Sequence, residues 1–307
     1  MSGKSKSNVL KNKKRILNIE AVIFAVIFVL PVFIRIFISS YLMSFESVLY
    51  SFFNYSYIDP PGTFVGFENY RALLSSDLFW KQITNTITLF AMGTIGFFIP
   101  IIQALLLNEI TRGHKVFRYL YVLPCGLPAM AGYSVWSYIW NPEAGIANSI
   151  IGLFGISPQT WLYDPALIKW CLTVPSLMGG GMAVLTYLVV IQGVNQEIYD
   201  AAKVDGATNF QMMMKITIPN IMYYISLTFV LSLTGIFSAF DGPYIMTNGT
   251  GGPEHSAETA VMGIYNRGYD LMQYGRAMAM SVLIVLFTLV FIIISQVVKN
   301  KLGKEEI

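Results

Sequence analysis

The chain has 307 residues, 55% of them hydrophobic and only 12% charged, with a mean hydropathy of +0.58 and a formal net charge of +3. A surface facing water on all sides would need more charge, so the composition excludes an ordinary soluble domain and points to lipid as the solvent. The small net charge gives no reason to expect nucleic acid, and two histidines leave little material for metal or triad chemistry.

Apolar windows of about 20 residues cross ~30 Å of hydrocarbon at ~1.5 Å per residue. They predict an all-α integral membrane fold of about six transmembrane helices, near 19–41, 84–107, 116–140, 168–192, 221–244 and 277–298. No low-complexity linker divides the chain, so the organisation reads as a basic tail over 1–18, one membrane domain over 19–298 and a second tail over 299–307. The first span follows a basic start, but it is longer than the roughly 7 to 15 residues of a signal-peptide core and no A-x-A-like site follows, so it reads as a retained anchor. Arg35 lies about a turn before its expected outer end. It reads either as a side chain snorkelling to the headgroups or as one half of an ion pair in the bundle.

Between Ser44 and Thr84 comes an aromatic-dense segment with Tyr50, Phe52, Phe53, Tyr55, Tyr57, Phe64, Phe67, Tyr70, Phe79 and Trp80. Amphipathic rings favour the membrane interface, so a capping belt is expected, with a landing surface for an extracytoplasmic partner as the alternative. In the third span Pro124, Gly126, Pro128 and Gly132 loosen the helix ahead of Trp136, Tyr138 and Trp140, which are candidate solute-path residues. Pro175 and Gly179 to Gly181 loosen the fourth; this run reads as close helix packing in preference to a substrate break. Cys125 and Cys171 fall within these two spans as small apolar side chains, without disulfide or metal-ligand spacing.

After the fourth span the stretch NQEIYDAAKVDGATNFQMMMKITIPNI (195–221) is polar and helix-forming, broken once at Asp205-Gly206. Asn195 is a candidate N-cap for a helix over 196–204, Thr208 for a second over 208–216, and Pro219 marks the entry to the fifth span. Ala201, Ala202, Gly206 and Ala207 place small side chains around the bend, Asp200 and Asp205 add acceptors, and Phe210, Met213, Met214 and Thr217 recur at helical spacing. Such a surface suits docking into a partner's groove. An interfacial helix lying on lipid would carry more than Lys203 and Lys215 on its polar side. At the far end of the fifth span Asp241 and Tyr244 are candidate path residues or interfacial caps, and the loop over 245–276 is rich in turn formers.

Lys and Arg set the orientation. The N-terminal tail, Arg112, Lys115 and Arg118 of the second link, Lys203 and Lys215, and the C-terminal tail together hold fourteen. The opposite side holds five, Arg71, Lys81, Lys169, Arg267 and Arg276, so both termini and the 195–220 loop are expected in the cytoplasm. No catalytic constellation stands out. His114 and His255 fall on opposite sides, Ser2-Gly3-Lys4-Ser5 lacks the upstream strand and glycine of a phosphate loop, and Asn248-Gly249-Thr250 reads as a turn.

The spacing Asp200-Ala201-Ala202, three residues, Gly206, nine residues, Ile216-x-Ile218-Pro219 resembles the EAA signature, EAA-x3-G-x9-I-x-L-P, of permease subunits of binding-protein-dependent ABC importers. FVGFENYRALL (64–74), LLLNEITRGHKVFRYLYVLP (105–124), NPEAGIANSIIGLFG (141–155), YIMTNGTGGP (244–253) and YGRAMAMSVL (274–283) resemble segments of the carbohydrate-uptake branch, of the maltose or multiple-sugar type, in the same order. The resemblance implies a multi-pass protein of a bacterial or archaeal plasma membrane that pairs with a second permease and sits on two ATPase subunits. Solute would arrive from an extracytoplasmic binding protein, and ATP and Mg would bind the ATPases and not this chain. It implies that Asp200, Ala201, Ala202, Asp205, Gly206, Ala207, Ile216 and Pro219 couple to the ATPase, with Asp200 one methylene shorter than the family's Glu and Ile218 replacing Leu. An importer for a non-sugar solute would share this pattern. A secondary transporter would call for inverted repeats, and none is clear; a membrane enzyme would call for clustered catalytic acids.

Overall fold

The computed structural model describes residues 22–24, 26–58, 60–110, 113–178, 180–233 and 235–302. The basic tail over 1–18, the first residues of the first predicted span, Arg112, Gly179 and Lys304 lie outside the described residues. Helix α1 (Val22–Tyr50) carries a π turn over Phe37–Leu42 and buries none of its most apolar window against the rest of the chain. A two-stranded hairpin, β1 (Phe53–Asn54) and β2 (Thr63–Phe64), leads to α2 (Glu68–Leu74) and the 33-residue α3 (Asp77–Glu109), whose start is capped by the Ser76 side chain accepting from Phe79 N. Then follow α4 (His114–Val122), α5 (Ala129–Ile139), the short α6 (Ile146–Gly152), α7 (Ile168–Met178), α8 (Gly181–Gln192) and α9 (Gln196–Val204). The remainder is α10 (Asn209–Leu233), α11 (Asp241–Met246), α12 (Ala260–Tyr265) and α13 (Tyr274–Leu302).

Among the described residues four helices are long and apolar enough to cross a membrane: α1, α3, α10 and the 274–294 part of α13. The pair α7 and α8, bent by 43°, makes a fifth if it counts as one span. Predicted spans two and six fall inside α3 and α13. The third, expected over 116–140 and loosened at Pro124 to Gly132, goes further and divides into α4, a 3-10 turn over Leu123–Gly126, and α5, because the two prolines at 124 and 128 withhold backbone donors where a helix would need them. The fifth, expected over 221–244, starts earlier and stops at Leu233, after which a 3-10 turn at Ile236–Ser238 precedes α11. The helix α1 runs on to Tyr50, past the predicted span end at 41, so Arg35 sits near the middle of the helix; the residue is exposed.

The glycine run after α7 does both things the sequence allowed, a break and a close approach. Gly180 takes φ +95 at the bend, and a Cβ at Gly181 would collide with the carbonyl oxygen of Tyr121, so α8 packs on α4 backbone to backbone.

The long α3 serves as a shared mast. Near its start Phe79 and Ile83 pack with Leu73, Ile236, Phe237, Ala260, Ala279, Met280 and Ile284. Near its end Ile101, Ala104, Leu105 and Leu107 pack with Val184, Tyr187, Leu188 and Ile191 of α8 and Ile221 of α10. The aromatic segment folds back on this frame: Tyr57 and Tyr55 meet Tyr274 at 4.4 and 6.3 Å between centroids, and Asn69 Nδ2 donates to the carbonyls of Ser51 and Phe53 at 2.8 and 2.9 Å.

A buried polar knot ties the start of α3 to the segments on either side of α12. Gln82 Nε2 and Asn266 Nδ2 donate to Glu258 Oε1 at 2.9 and 3.0 Å, Arg267 donates to Gln82 Oε1 at 3.0 Å, and His255 Nδ1 lies 2.6 Å from Glu258 Oε2. Glu258 is 2% exposed and Arg267 8%. Burial lowers the pKa of the Arg267 guanidinium, and the nearby Glu258 carboxylate opposes that shift. Glu258→Ala would strand several buried donors together. It is expected to cost about 2 to 4 kcal/mol, Glu258→Gln less, measured as thermal unfolding of the detergent-solubilised protein.

Candidate functional site

Two regions carry the residues singled out in the sequence. The first is the elbow between α9 and α10. Asn195 caps α9 by accepting from Glu197 N at 3.0 Å. The helix closes with Ala207 N donating to Ala202 O at 2.9 Å and Gly206 N to Lys203 O at 3.0 Å, the paired bonds of a Schellman ending. Gly206 takes φ +78, and among the described residues a Cβ there would meet nothing within 4 Å beyond its chain neighbours, so its requirement is conformational and not steric. Thr208 opens α10 with a capping box to Gln211.

Ala202, Asp205, Gly206, Ala207 and Ile216 line one recess of about 420 Å³ together with Gln211, Met212 and Lys215. Asp200 and Ala201 are exposed beside it, and Pro219 is exposed on α10. Lys203 Nζ and Gln196 Nε2 each approach Asp200 Oδ1 at 3.4 Å; with both ion-pair partners more than half exposed, that contact contributes little and is readily exchanged. Val204 at the tip is 88% exposed, an apolar residue the motif does not mark.

The second helix differs from expectation. It does not stop near 216 but runs into the fifth span as one rod, through a π turn over Met213–Thr217 just ahead of Pro219. Proline lacks the N–H that would bond one turn back, and the widened turn absorbs that loss without breaking the helix. It also rotates the helix surface, so the expected stripe divides: Phe210 and Met214 are exposed, whereas Met213 joins the core and Thr217 is buried. Tyr199 OH pairs with Thr217 Oγ1 at 2.9 Å, and Asn209 Nδ2 donates to Glu109 Oε2 at 3.0 Å. Neither contact is visible in the motif, although Tyr199 immediately precedes it and Thr217 lies inside it.

The second region is the break after α10. A cavity of about 260 Å³ opens there between the middle of α3, α5, α7 and the 235–243 segment. Tyr133, Thr173, Ser176, Ser238 and Asp241 give it polar groups, and Phe90 and Phe240 give it ring faces. Phe240 stacks on Tyr244 at 4.8 Å with the planes 22° apart, and Tyr244 meets Tyr265 at 5.2 Å. Of the five path candidates, Asp241 lines this cavity and Tyr244 stands in the adjoining ring stack. Trp136 and Trp140 stack on each other at 5.9 Å and extend to Trp161, packed against Ile168 and Met246; the Trp140 indole N–H has no hydrogen-bond partner among the described residues. Tyr138 is 59% exposed, apart from both groups. Tyr133, Ser176 and Ser238 are lining residues the sequence did not single out, since only the fold brings them together. Among the described residues no group of His, Cys, Asp or Glu is arranged to hold a metal.

Residues 96–304 match the protein family described as "Binding-protein-dependent transport system inner membrane component". A probable ABC transporter permease protein, YurN of Bacillus subtilis (strain 168), is 31% identical over 304 residues, spanning 96% of this chain and 99% of that one. The trehalose/maltose transport system permease protein MalF of Thermococcus litoralis is 28% identical over 76% of this chain and 79% of its own length. A chain in the crystal structure of a bacterial alginate ABC transporter in complex with alginate pentasaccharide-bound periplasmic protein superposes with a TM-score of 0.78 at 24% identity, covering 96% of this chain and 98% of that one, a likeness of fold. The chain belongs to the family of inner membrane components of binding-protein-dependent transport systems.

Proposed function

We propose that this permease is one membrane-spanning half of an ATP-driven importer for a sugar or oligosaccharide, receiving solute from an extracytoplasmic binding protein and releasing it to the cytoplasm by alternating access. The observation that carries the reading is the elbow at Gly206: a capped bend lined by small residues, mounted on a helix long and apolar enough to cross a membrane. A second, related permease would enclose the path, and the elbow would seat on one of two ATPase subunits, which bind ATP and Mg and do the hydrolysis. Asp200, Ala201, Ala202, Asp205, Gly206, Ala207, Ile216 and Pro219 form the coupling surface within the 195–220 loop. Six crossings follow if α4 with α5, and α7 with α8, each act as one broken span. Both termini then lie in the cytoplasm, with tails over 1–18 and 299–307, as the basic residues favour.

Sugar as the solute class is supported by the names of the relatives, and also by the cavity itself. Ring faces beside hydroxyl, carboxylate and backbone groups are what a polyhydroxylated ring binds. Asp241 and Tyr133 would reach solute first, with Tyr244 behind them and Trp136, Tyr138 and Trp140 serving the outer part of the path. The complex, reconstituted with its ATPases and binding protein, is expected to take up labelled mono- or oligosaccharide with vanadate sensitivity and only when all subunits are present. Uptake by this chain alone, driven by an ion gradient, would overturn the assignment in favour of a secondary transporter. Uptake confined to non-sugar solutes across a panel would leave the coupling intact and move the solute class.

A further inference from the structure

A nine-residue helix is too short to hold its own conformation in water, and α9 buries no residue, so its angle against α10 must be fixed by a few specific contacts. The backbone turn at Gly206 closes one end. At the other, Tyr199 OH reaches across to Thr217 Oγ1 at 2.9 Å. Thr217 is 5% exposed and Tyr199 half-buried, so the pair is shielded from water. Thr217 Oγ1 also lies 3.5 Å from Met212 O, within the π turn, which lets the threonine donate to its own helix while accepting from the tyrosine. We propose that this hydroxyl pair is a positioning lock: it fixes α9 on the π turn of α10, so that thrust applied at the elbow rotates both helices together and is not dissipated by hinging at Gly206. The inference rests on the coupling assignment above and gives it a moving part.

Without the lock the elbow can still dock, but the angle at which it docks is no longer passed on. In the assembled transporter in proteoliposomes, Tyr199→Phe and Thr217→Val are each expected to lower solute transported per ATP hydrolysed by about fivefold, the scale of one net hydrogen bond. The ATPase subunits should still co-purify and hydrolyse ATP. The double variant should be no worse than either single one, and Thr217→Ser, which keeps the hydroxyl, should restore the ratio. Wild-type transport per ATP in Tyr199→Phe and Thr217→Val overturns the lock, and so does an equal loss in Thr217→Ser. Should Thr217→Val fail to insert, Tyr199→Phe, at a half-buried ring, decides alone. Gly206→Pro serves as the reference: if it uncouples while the hydroxyl variants do not, the lock alone falls, and if it too leaves the ratio unchanged, the coupling assignment falls with it.

Discussion

Gly206→Pro is expected to abolish uptake, by at least about a hundredfold, while the chain still inserts in the membrane. The residue adopts φ +78, and proline is confined near φ −65, so the Schellman closure cannot form; the local penalty of about 3 kcal/mol exceeds what two bonds of that turn return. Gly206→Ala separates conformation from space. Apart from its chain neighbours, no atom of the described residues lies within 4 Å of where the new methyl group would sit, so alanine meets only the left-handed backbone cost of about 1 to 2 kcal/mol, and a partial loss is expected. Co-purification of ATPase subunits, together with uptake rates, distinguishes a lost elbow from a lost protein. Full uptake by the proline variant would mean that the elbow transmits nothing.

Asp241→Leu is expected to raise the KM for uptake about tenfold or more, equivalent to ~1.4 kcal/mol, while ATPase association is unchanged. The carboxylate lies in the first turn of α11 and lines the cavity, so it can accept hydrogen bonds from solute hydroxyls. Asp241→Asn keeps an acceptor in the same place and should lose less. Concentration-dependent uptake in proteoliposomes measures both variants. A change in kcat with KM untouched would remove Asp241 from solute binding.

The parts of this fold that rest on one uninterrupted local signal were legible. The apolar runs of α3 and α13 needed no tertiary information, and neither did the caps at Asn195 and Thr208 or the bend at Gly206. Pro124 and Pro128 announced a weakened third span, yet hydropathy, which averages over a window, could not show that the helix stops and restarts. The π turn at Met213–Thr217 was hidden for a different reason. Its residues obey α-helical spacing on paper, and only the packing of Met213 into the core cluster of α3, α8 and Ile221 reveals the rotation. Gln82 and Glu258 stand 176 residues apart, and nothing local in either segment indicates the other. The same holds for the cavity, whose polar groups come from four separate elements and acquire meaning only where the helices break.

One helix of 25 residues, roughly 37 Å long, begins at the elbow and ends two residues short of the 235–243 segment that lines the candidate solute cavity. Pivoting such a pole by about 10° about its elbow end sweeps the opposite tip through roughly 6 Å. The amplitude is comparable to the bore a small solute requires, so if the elbow is driven and the cavity holds solute as proposed, a modest swing from that end would suffice to widen or shut the chamber, with no intermediate relay to tune. Stroke and aperture would then both be set by the length of a single strut, and a residue inserted into it should alter both at once.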